Sequence, residues 1–467
     1  MIKAIYLLLS CLSLIAALAH QEAAYAAEKP NFIIILTDDQ GYNDLACFGS
    51  KTINTPHIDQ LAKKGRKFTS FYVASSVCTP SRAALLTGCY PKRFGMAKGV
   101  IFPSNNHGLH TDELTIADML KGAGYATACV GKWHLGHRKP FLPTNQGFDS
   151  YYGIPYSNDM NHPDNSGKNK ALRRDESWKN QEKAWRSWNT PLMENEEIIE
   201  MPVNQRTITR RYTDKAIEFI TANKNKPFFL YLPHSMPHVP LFVPEDVLDQ
   251  DPANAYTNTI EHIDAECGRL FKAVEELGLS DNTYIIYTSD NGPWLPYGNH
   301  GGSALPLRNG KMTSYEGGQR VPTVMKGPDI PADTSTDEIA STIDLLPTIA
   351  KIAGAKLEPR GPIDGLDIGD LIHGKGKSPR TEFLYYSKGG GLDGLRQGDW
   401  KIRAAQPDRR FKNKKKVIEL YNLAEDIGET NNLASKEVEK VTALLERMKE
   451  LDAKVSTNIR SRGEFTK

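Results

Sequence analysis

Apolar residues in this chain gather into short continuous runs, each preceded by an amphipathic stretch and followed by a polar cluster. The first run, Asn31-Phe-Ile-Ile-Ile-Leu-Thr37, shows no alternation, which predicts a strand buried on both faces. It ends in Asp38-Asp39. Residues 55–65 carry a Thr-Pro start and a glycine stop and read as a short helix, after which 67–73 is strand-like. The pattern then repeats. A helix over 114–123 leads to a strand at 125–130 and Gly131-Lys132-Trp133-His134; a helix over 212–223 leads to a strand at 227–232 and then His234 and His238; a helix over 259–277 leads to a strand at 283–288 and Ser289-Asp290-Asn291-Gly292. Helices alternating with continuous apolar strands predict an α/β fold with a mostly parallel sheet covered on both faces. In such sheets ligands collect at the carboxyl ends of the strands, so these polar clusters are expected to converge.

Two regions depart from the pattern. Residues 157–207 are polar and charged, with Trp178, Trp185 and Trp188 interspersed, and read as a long excursion over the site whose tryptophans pack locally. From about residue 381, apolar segments at 383–386, 394–403 and 417–421 are separated by turns and followed by an amphipathic helix over 435–454. These predict a smaller antiparallel sheet with a terminal helix. The basic run 409–416 reads as an exposed hairpin tip. The organisation expected is a leader over 1–26, a large α/β domain over 27–380 and a C-terminal subdomain over 381–467. There are no internal repeats.

Composition narrows the function. At 467 residues, 39% hydrophobic and 24% charged, the chain has the make-up of a large folded protein, and a formal net charge of +2 argues against nucleic-acid or membrane-surface binding through bulk charge. Any anion must be held locally. Residues 1–26 read as a secretory signal, with Lys3, an apolar run over 4–18 and Ala24-Tyr25-Ala26 as a cleavage site. The run is too short to span a bilayer comfortably, and no other run is long enough. Leu8-Leu9-Ser10-Cys11 only weakly resembles a lipoprotein box. No Asn-x-Ser/Thr sequon occurs, so a periplasmic or secreted bacterial protein is expected. The five cysteines beyond the leader show no CxxC spacing, which argues against a zinc or thioredoxin-like site.

Four sets of residues carry candidate chemistry. In the segment 77–88, Thr79-Pro80 and the closing Gly88 predict a short helix, placing Cys78 and Arg82 at the end that suits an anion. Asp38, Asp39, Asp290 and Asn291 offer only oxygen ligands from two strand ends, a set that favours a hard divalent cation and suits calcium better than zinc. Lys132 and His134 share a strand end. His238, just beyond the strand at 227–232, is the fourth.

The run from Cys78 through Arg82 to Leu86-Thr87-Gly88 resembles the signature of the type I sulfatases, nearest their arylsulfatase A branch. Residues 124–134 resemble the family's second signature. Pro237-His238-Val239-Pro240, Gly310-Lys311 and Ile154-Pro155-Tyr156-Ser157 match further active-site segments, whereas His234 matches none. The resemblance implies an alkaline-phosphatase-like fold, conversion of Cys78 to formylglycine by a maturation enzyme, and a calcium ion held by Asp38, Asp39, Asp290, Asn291 and residue 78. It also implies roles. Asp290 deprotonates a hydroxyl of the hydrated aldehyde, which attacks sulfur, His238 and Lys311 assist the departing alcohol, and His134 restores the aldehyde; Ser157 contacts sulfate. With Cys78 consumed, pairing among Cys47, Cys89, Cys129 and Cys267 stays open, Cys47 with Cys89 being one option. The chemistry needs such a site because a sulfate ester repels its attacker. At about 4 Å and an effective dielectric near 20, each added positive charge contributes on the order of 4 kcal/mol. Sulfated carbohydrates are the expected substrates. A phosphatase or phosphonate monoester hydrolase on the same fold, and a silent sulfated-glycan binder, are the rival readings.

Overall fold

The computed structural model describes residues 29–162, 173–405 and 417–466. The expected leader and the basic run 409–416 lie outside them. Ten strands form one sheet: β1 (Asn31–Thr37), β2 (Arg66–Phe68), β3 (Ala126–Val130), β4 (Ser150–Gly153), β5 (Leu192–Glu194), β6 (Glu197–Glu200), β7 (Phe228–Pro233), β8 (Thr283–Ser289), β9 (Thr323–Lys326) and β10 (Thr334–Thr336). Their order across the sheet is β10-β2-β9-β8-β1-β7-β3-β4-β5-β6. The five central strands, β8 through β4, run parallel. Both margins bring in antiparallel pairs, β8 with β9 and β4 with β5, so the sheet is parallel at its centre and mixed at its edges.

The continuous apolar runs are explained by burial on two faces. Phe32, Ile34 and Leu36 point into one layer with α2 (Cys78–Thr87), α3 (Ile116–Gly122) and α6 (Leu345–Ala353). Ile33 and Ile35 point into the other, against α1 (Pro56–Lys63), α4 (Ile208–Ala222) and α5 (Ala255–Glu276). Each fully buried aliphatic side chain contributes about 1.5–3 kcal/mol of transfer free energy, so a polar residue on either face of β1 would be costly. Cys47 packs in the second layer and Cys89 in the first. The sheet lies between them, and the pairing left open by the sequence is not made; all five described cysteines are free thiols.

Three expectations change in detail. The strand over 67–73 is two pieces, because the chain turns at Thr69-Ser70 and Phe71–Tyr72 pairs with Ala340–Ser341 in a separate small sheet. The excursion after Ser157 buries Trp178, Trp185 and Trp188 as expected, but it also supplies β5 and β6, which extend the main sheet. Finally, α4 begins at Ile208, four residues before the start read from the sequence.

Beyond residue 381, β11 (Glu382–Tyr386), β12 (Leu392–Gln397), β13 (Trp400–Ala405) and β14 (Val417–Asn422) form an antiparallel sheet in chain order. The helix α7 (Val438–Ser456) lays Leu444, Met448 and Val455 on a core that also takes in Tyr72, Ala84 and Tyr90. Among the described residues no helix is long and apolar enough to cross a membrane.

Candidate active site

The polar clusters meet at the carboxyl ends of the central strands. Asp38 and Asp39 follow β1, Asp290 and Asn291 follow β8, Lys132 and His134 follow β3, His238 follows β7 and Ser157 follows β4. All of them are buried, as are Cys78, Arg82 and Lys311. The backbone is shaped to achieve this. Asp39 and His134 sit at φ 65° and 61°, a region that L residues adopt at a cost. Gly131 lies at φ 139°, and a Cβ there would stand 2.0 Å from the Pro233 carbonyl oxygen. Only a glycine lets β3 end so close to β7, and the contact lets the Lys132 N–H donate to Pro233 at 2.7 Å.

The helix α2 opens at Cys78 without a side-chain cap. The Thr79 hydroxyl donates instead to the His134 carbonyl at 2.9 Å, tying the helix start to the second strand end. Gly88 closes the helix in the left-handed conformation, as the sequence predicts. The Cys78 Sγ lies 3.3 Å from Lys311 Nζ and 3.5 Å from Asp38 Oδ1.

Cations and carboxylates alternate around that sulfur. Arg82 donates from Nε to Asp290 Oδ2 at 2.9 Å and from Nη1 to the Lys132 carbonyl at 2.7 Å, while Nη2 stands 3.3 Å from Asp38 Oδ2. Lys132 Nζ contacts Asp38 Oδ2 and donates to Ser157 Oγ at 3.1 Å. Lys311 Nζ donates to Asp39 Oδ1 at 2.5 Å. Three cations thus face the three carboxylates Asp38, Asp39 and Asp290. Burial pushes Asp38 up, yet the surrounding positive groups, Lys132 first and then Arg82, hold it well below the ordinary range. Burial pushes Asp39 up to about 7; Lys311 opposes that rise, and the charges of Asp38 and Asp290 add to it. Asp290 is raised by burial and then by Asp38. These carboxylates repel one another in a site with room for more positive charge.

The donor set fits a cation that prefers oxygen. Asp39 Oδ2 and Asn291 Oδ1 are buried and accept no hydrogen bond among the described residues, a costly state unless an ion meets them. Ligand atoms of Asp38, Asp39, Cys78 and His238 lie within 4.8 Å of one another. Asn291 adjoins this group through Nδ2, which donates to Asp39 Oδ1 at 2.7 Å, and Asp290 through Oδ1, which accepts from the Asp39 N–H at 3.1 Å.

The two histidines present different nitrogens. His134 Nε2 is 3.0 Å from the Ile101 carbonyl and Nδ1 has no hydrogen-bond partner among the described residues. His238 Nδ1 is 2.7 Å from the Val239 carbonyl, and its Nε2 faces Ser157 Oγ at 3.4 Å and Asp39 Oδ2 at 3.6 Å. Burial lowers the pKa of both rings; Lys132 and Arg82 lower His134 further, and Lys311 lowers His238 further. His234 lies apart, fully buried, with neither ring nitrogen hydrogen-bonded among the described residues. One neighbour escaped sequence reasoning. Trp294 places its ring 4.7 Å from Lys311 Nζ and 5.3 Å from the His238 ring; an aromatic four residues beyond Asp290 was the only signal for it.

The Sulfatase family model matches residues 30–355. Arylsulfatase A of Homo sapiens is 36% identical over 458 residues, covering 91% of this chain and 87% of that protein. Steryl-sulfatase of Homo sapiens is 35% identical over 424 residues, covering 78% and 73%. Among solved structures, that of Ps i-CgsB in complex with k-i-k-neocarrahexaose superposes with a TM-score of 0.76 at 30% identity, covering 91% of this chain and 92% of that one. With the alkaline-phosphatase-like sheet and the site geometry described above, these likenesses establish that the chain belongs to the sulfatase family and is a sulfuric ester hydrolase.

Proposed function

We propose that this chain is an exported, calcium-dependent sulfatase that removes sulfate from carbohydrates through a formylglycine formed from Cys78. The observation that carries the proposal is the position of residue 78, at the open end of a buried helix between Lys311 Nζ at 3.3 Å and Asp38 Oδ1 at 3.5 Å. The leader-like residues 1–26 support export, and the oligosaccharide complex of Ps i-CgsB supports a carbohydrate substrate. A formylglycine-generating enzyme is the implied maturation partner. Asp38, Asp39, Asp290, Asn291 and residue 78 would hold the ion, with catalysis housed in 27–380.

When present, the hydrated formylglycine supplies the attacking oxygen, and calcium supplies Lewis-acid charge to the sulfate. Arg82, Lys132 and Lys311 offset the charge of the carboxylates, and Lys132 and Lys311 bind the sulfate oxygens, with Ser157 Oγ as a further donor beside Lys132. Asp290, raised by burial, accepts the proton of the attacking oxygen. His238 donates from Nε2 to the departing alcohol oxygen. Its Nδ1–H is committed to Val239, so Nε2 must be loaded with a proton, and the negative charge of an arriving sulfate favours that state. Lys311, its pKa lowered by burial but raised on balance by Asp39 and the other negative groups around it, Asp38 and Asp290 among them, stays charged and stabilises the same oxygen. His134 takes a proton at its unpartnered Nδ1 when the active-site aldehyde is restored.

Metal analysis and sulfate release from a panel of defined sulfated sugars test the proposal together. Calcium should copurify with active protein, and Asp39→Ala should lose calcium and activity in parallel. Zinc, or no metal, in an active preparation would contradict the metal assignment, and release from aryl sulfates alone would contradict the carbohydrate assignment.

A further inference from the structure

The loop 308–318, which delivers Lys311, is held from two sides. On the side of the site, Lys311 N–H donates to the Pro293 carbonyl and Met312 N–H to the Ser76 carbonyl, both at 2.9 Å, and Gly292 N–H donates to the Gly318 carbonyl at 3.1 Å. On its other side the C-terminal sheet grips almost every turn of it. Arg308 donates to the Tyr421 hydroxyl at 3.1 Å and to the Glu429 carbonyl at 2.7 Å. Arg403 donates to Ser314 Oγ at 2.8 Å, and the Tyr315 hydroxyl reaches Glu419 at 3.1 Å.

At the base of this grip lies an ion network closed to solvent. Lys401 of β13 donates to Glu316 Oε1 at 2.8 Å and pairs with Glu429 Oε1 at 2.8 Å, all three side chains being 0% exposed. Glu429 Oε2 accepts the Glu316 N–H at 2.7 Å, and the hydroxyls of Tyr385 and Tyr72 donate to Glu316 at 2.7 and 2.6 Å. A buried ion pair offers little net stability over apolar packing, but it fixes geometry, because removing one partner strands the other charge. Glu316 is five residues from Lys311, and the segment between them is bonded at both ends.

We infer that Lys401 is a positioning residue for the reaction: by clamping Glu316 and Glu429 beneath the loop, the C-terminal sheet sets where Lys311 Nζ stands. The inference rests on the role proposed for Lys311 at the leaving oxygen. A misplaced Lys311 would matter most for esters whose alcohol leaves poorly, since a nitrophenolate departs with little help. The test is a double-mutant cycle of Lys401→Met with Lys311→Ala, with kcat and KM read on a sugar sulfate and on 4-nitrophenyl sulfate. Lys401→Met should lower kcat at least tenfold on the sugar sulfate and less than threefold on the nitrophenyl ester, raise KM by the same factor on both because both carry the sulfate that Lys311 also binds, and have no further effect once Lys311 is alanine. Equal losses on the two esters, or the same loss with and without Lys311, would overturn it. If Lys401→Met does not fold, the charge-balanced Glu316→Gln/Lys401→Met variant replaces it in the same cycle and is read the same way. If the wild type releases sulfate from neither ester, the proposed function fails. The positioning claim is then decided by a crystal structure of the variant: Lys311 Nζ beyond hydrogen-bond reach of Asp39 upholds it, and an unchanged contact overturns it.

Discussion

The two candidate active-site histidines tie opposite ring nitrogens to backbone carbonyls, Nε2 in His134 and Nδ1 in His238, and this separates the roles proposed for them. A leaving-group acid matters in proportion to how poorly the alcohol leaves, so His238→Ala should slow a sugar sulfate at least tenfold more than 4-nitrophenyl sulfate. In the proposed mechanism His134 acts after the alcohol has left, so His134→Ala should slow both and show one rapid burst of released alcohol before slow turnover. Steady rates and burst amplitudes on both esters check this; equal losses for His238→Ala would refute its acid role. His234 allows a prediction about stability. Burial, aided by the charge of His262, lowers its pKa from 6.5 to about 3. The unfolded chain therefore binds the extra proton between those values, and stability falls as pH drops through that window. Between pH 7 and 5 this one ring accounts for about 2 kcal/mol of the loss. His234→Phe gives up no side-chain hydrogen bond among the described residues, so the unfolding free energy from urea titrations should fall between pH 7 and 5 by about 2 kcal/mol less than in the wild type; an equal fall would contradict the reading.

Strand ends are the elements on which the site depends, and they are also what the sequence displays most clearly. Continuous apolar runs such as 31–37 can be read because burial on both faces leaves no polar position, and acidic pairs closing such runs demand an explanation. The margins of the sheet are harder to read: β5 and β6 are three and four residues long, too short for periodicity to register. The close approach of β3 to β7 is a further test at this scale. Gly131→Ala would force a methyl group into the Pro233 carbonyl and strain a positive φ, so it should destabilise the fold by about 3 kcal/mol or more. It should also lower activity by displacing Lys132 and His134. Thermal unfolding with a parallel assay measures both, and a variant of wild-type stability would contradict the geometry.

At the scale of the whole molecule, what the sequence concealed is long-range. Lys401 and Glu316 are 85 residues apart, and neither carries a local pattern that distinguishes it from a surface charge; only the packing of the C-terminal sheet on the loop 308–318 makes them partners. The candidate site residues were legible for the opposite reason: they stand in short local runs, such as 77–88 and 124–134, that resemble the family's signatures. The proposed chemistry depends on residue 78 becoming an aldehyde. Its most direct test is the intact mass of the peptide containing residue 78, measured beside sulfate release, in protein made with and without a formylglycine-generating enzyme. Active protein should yield a peptide lighter than the cysteine form, and protein made without the maturation enzyme should show the unconverted thiol and no turnover. Full activity from protein that retains the Cys78 thiol would contradict it.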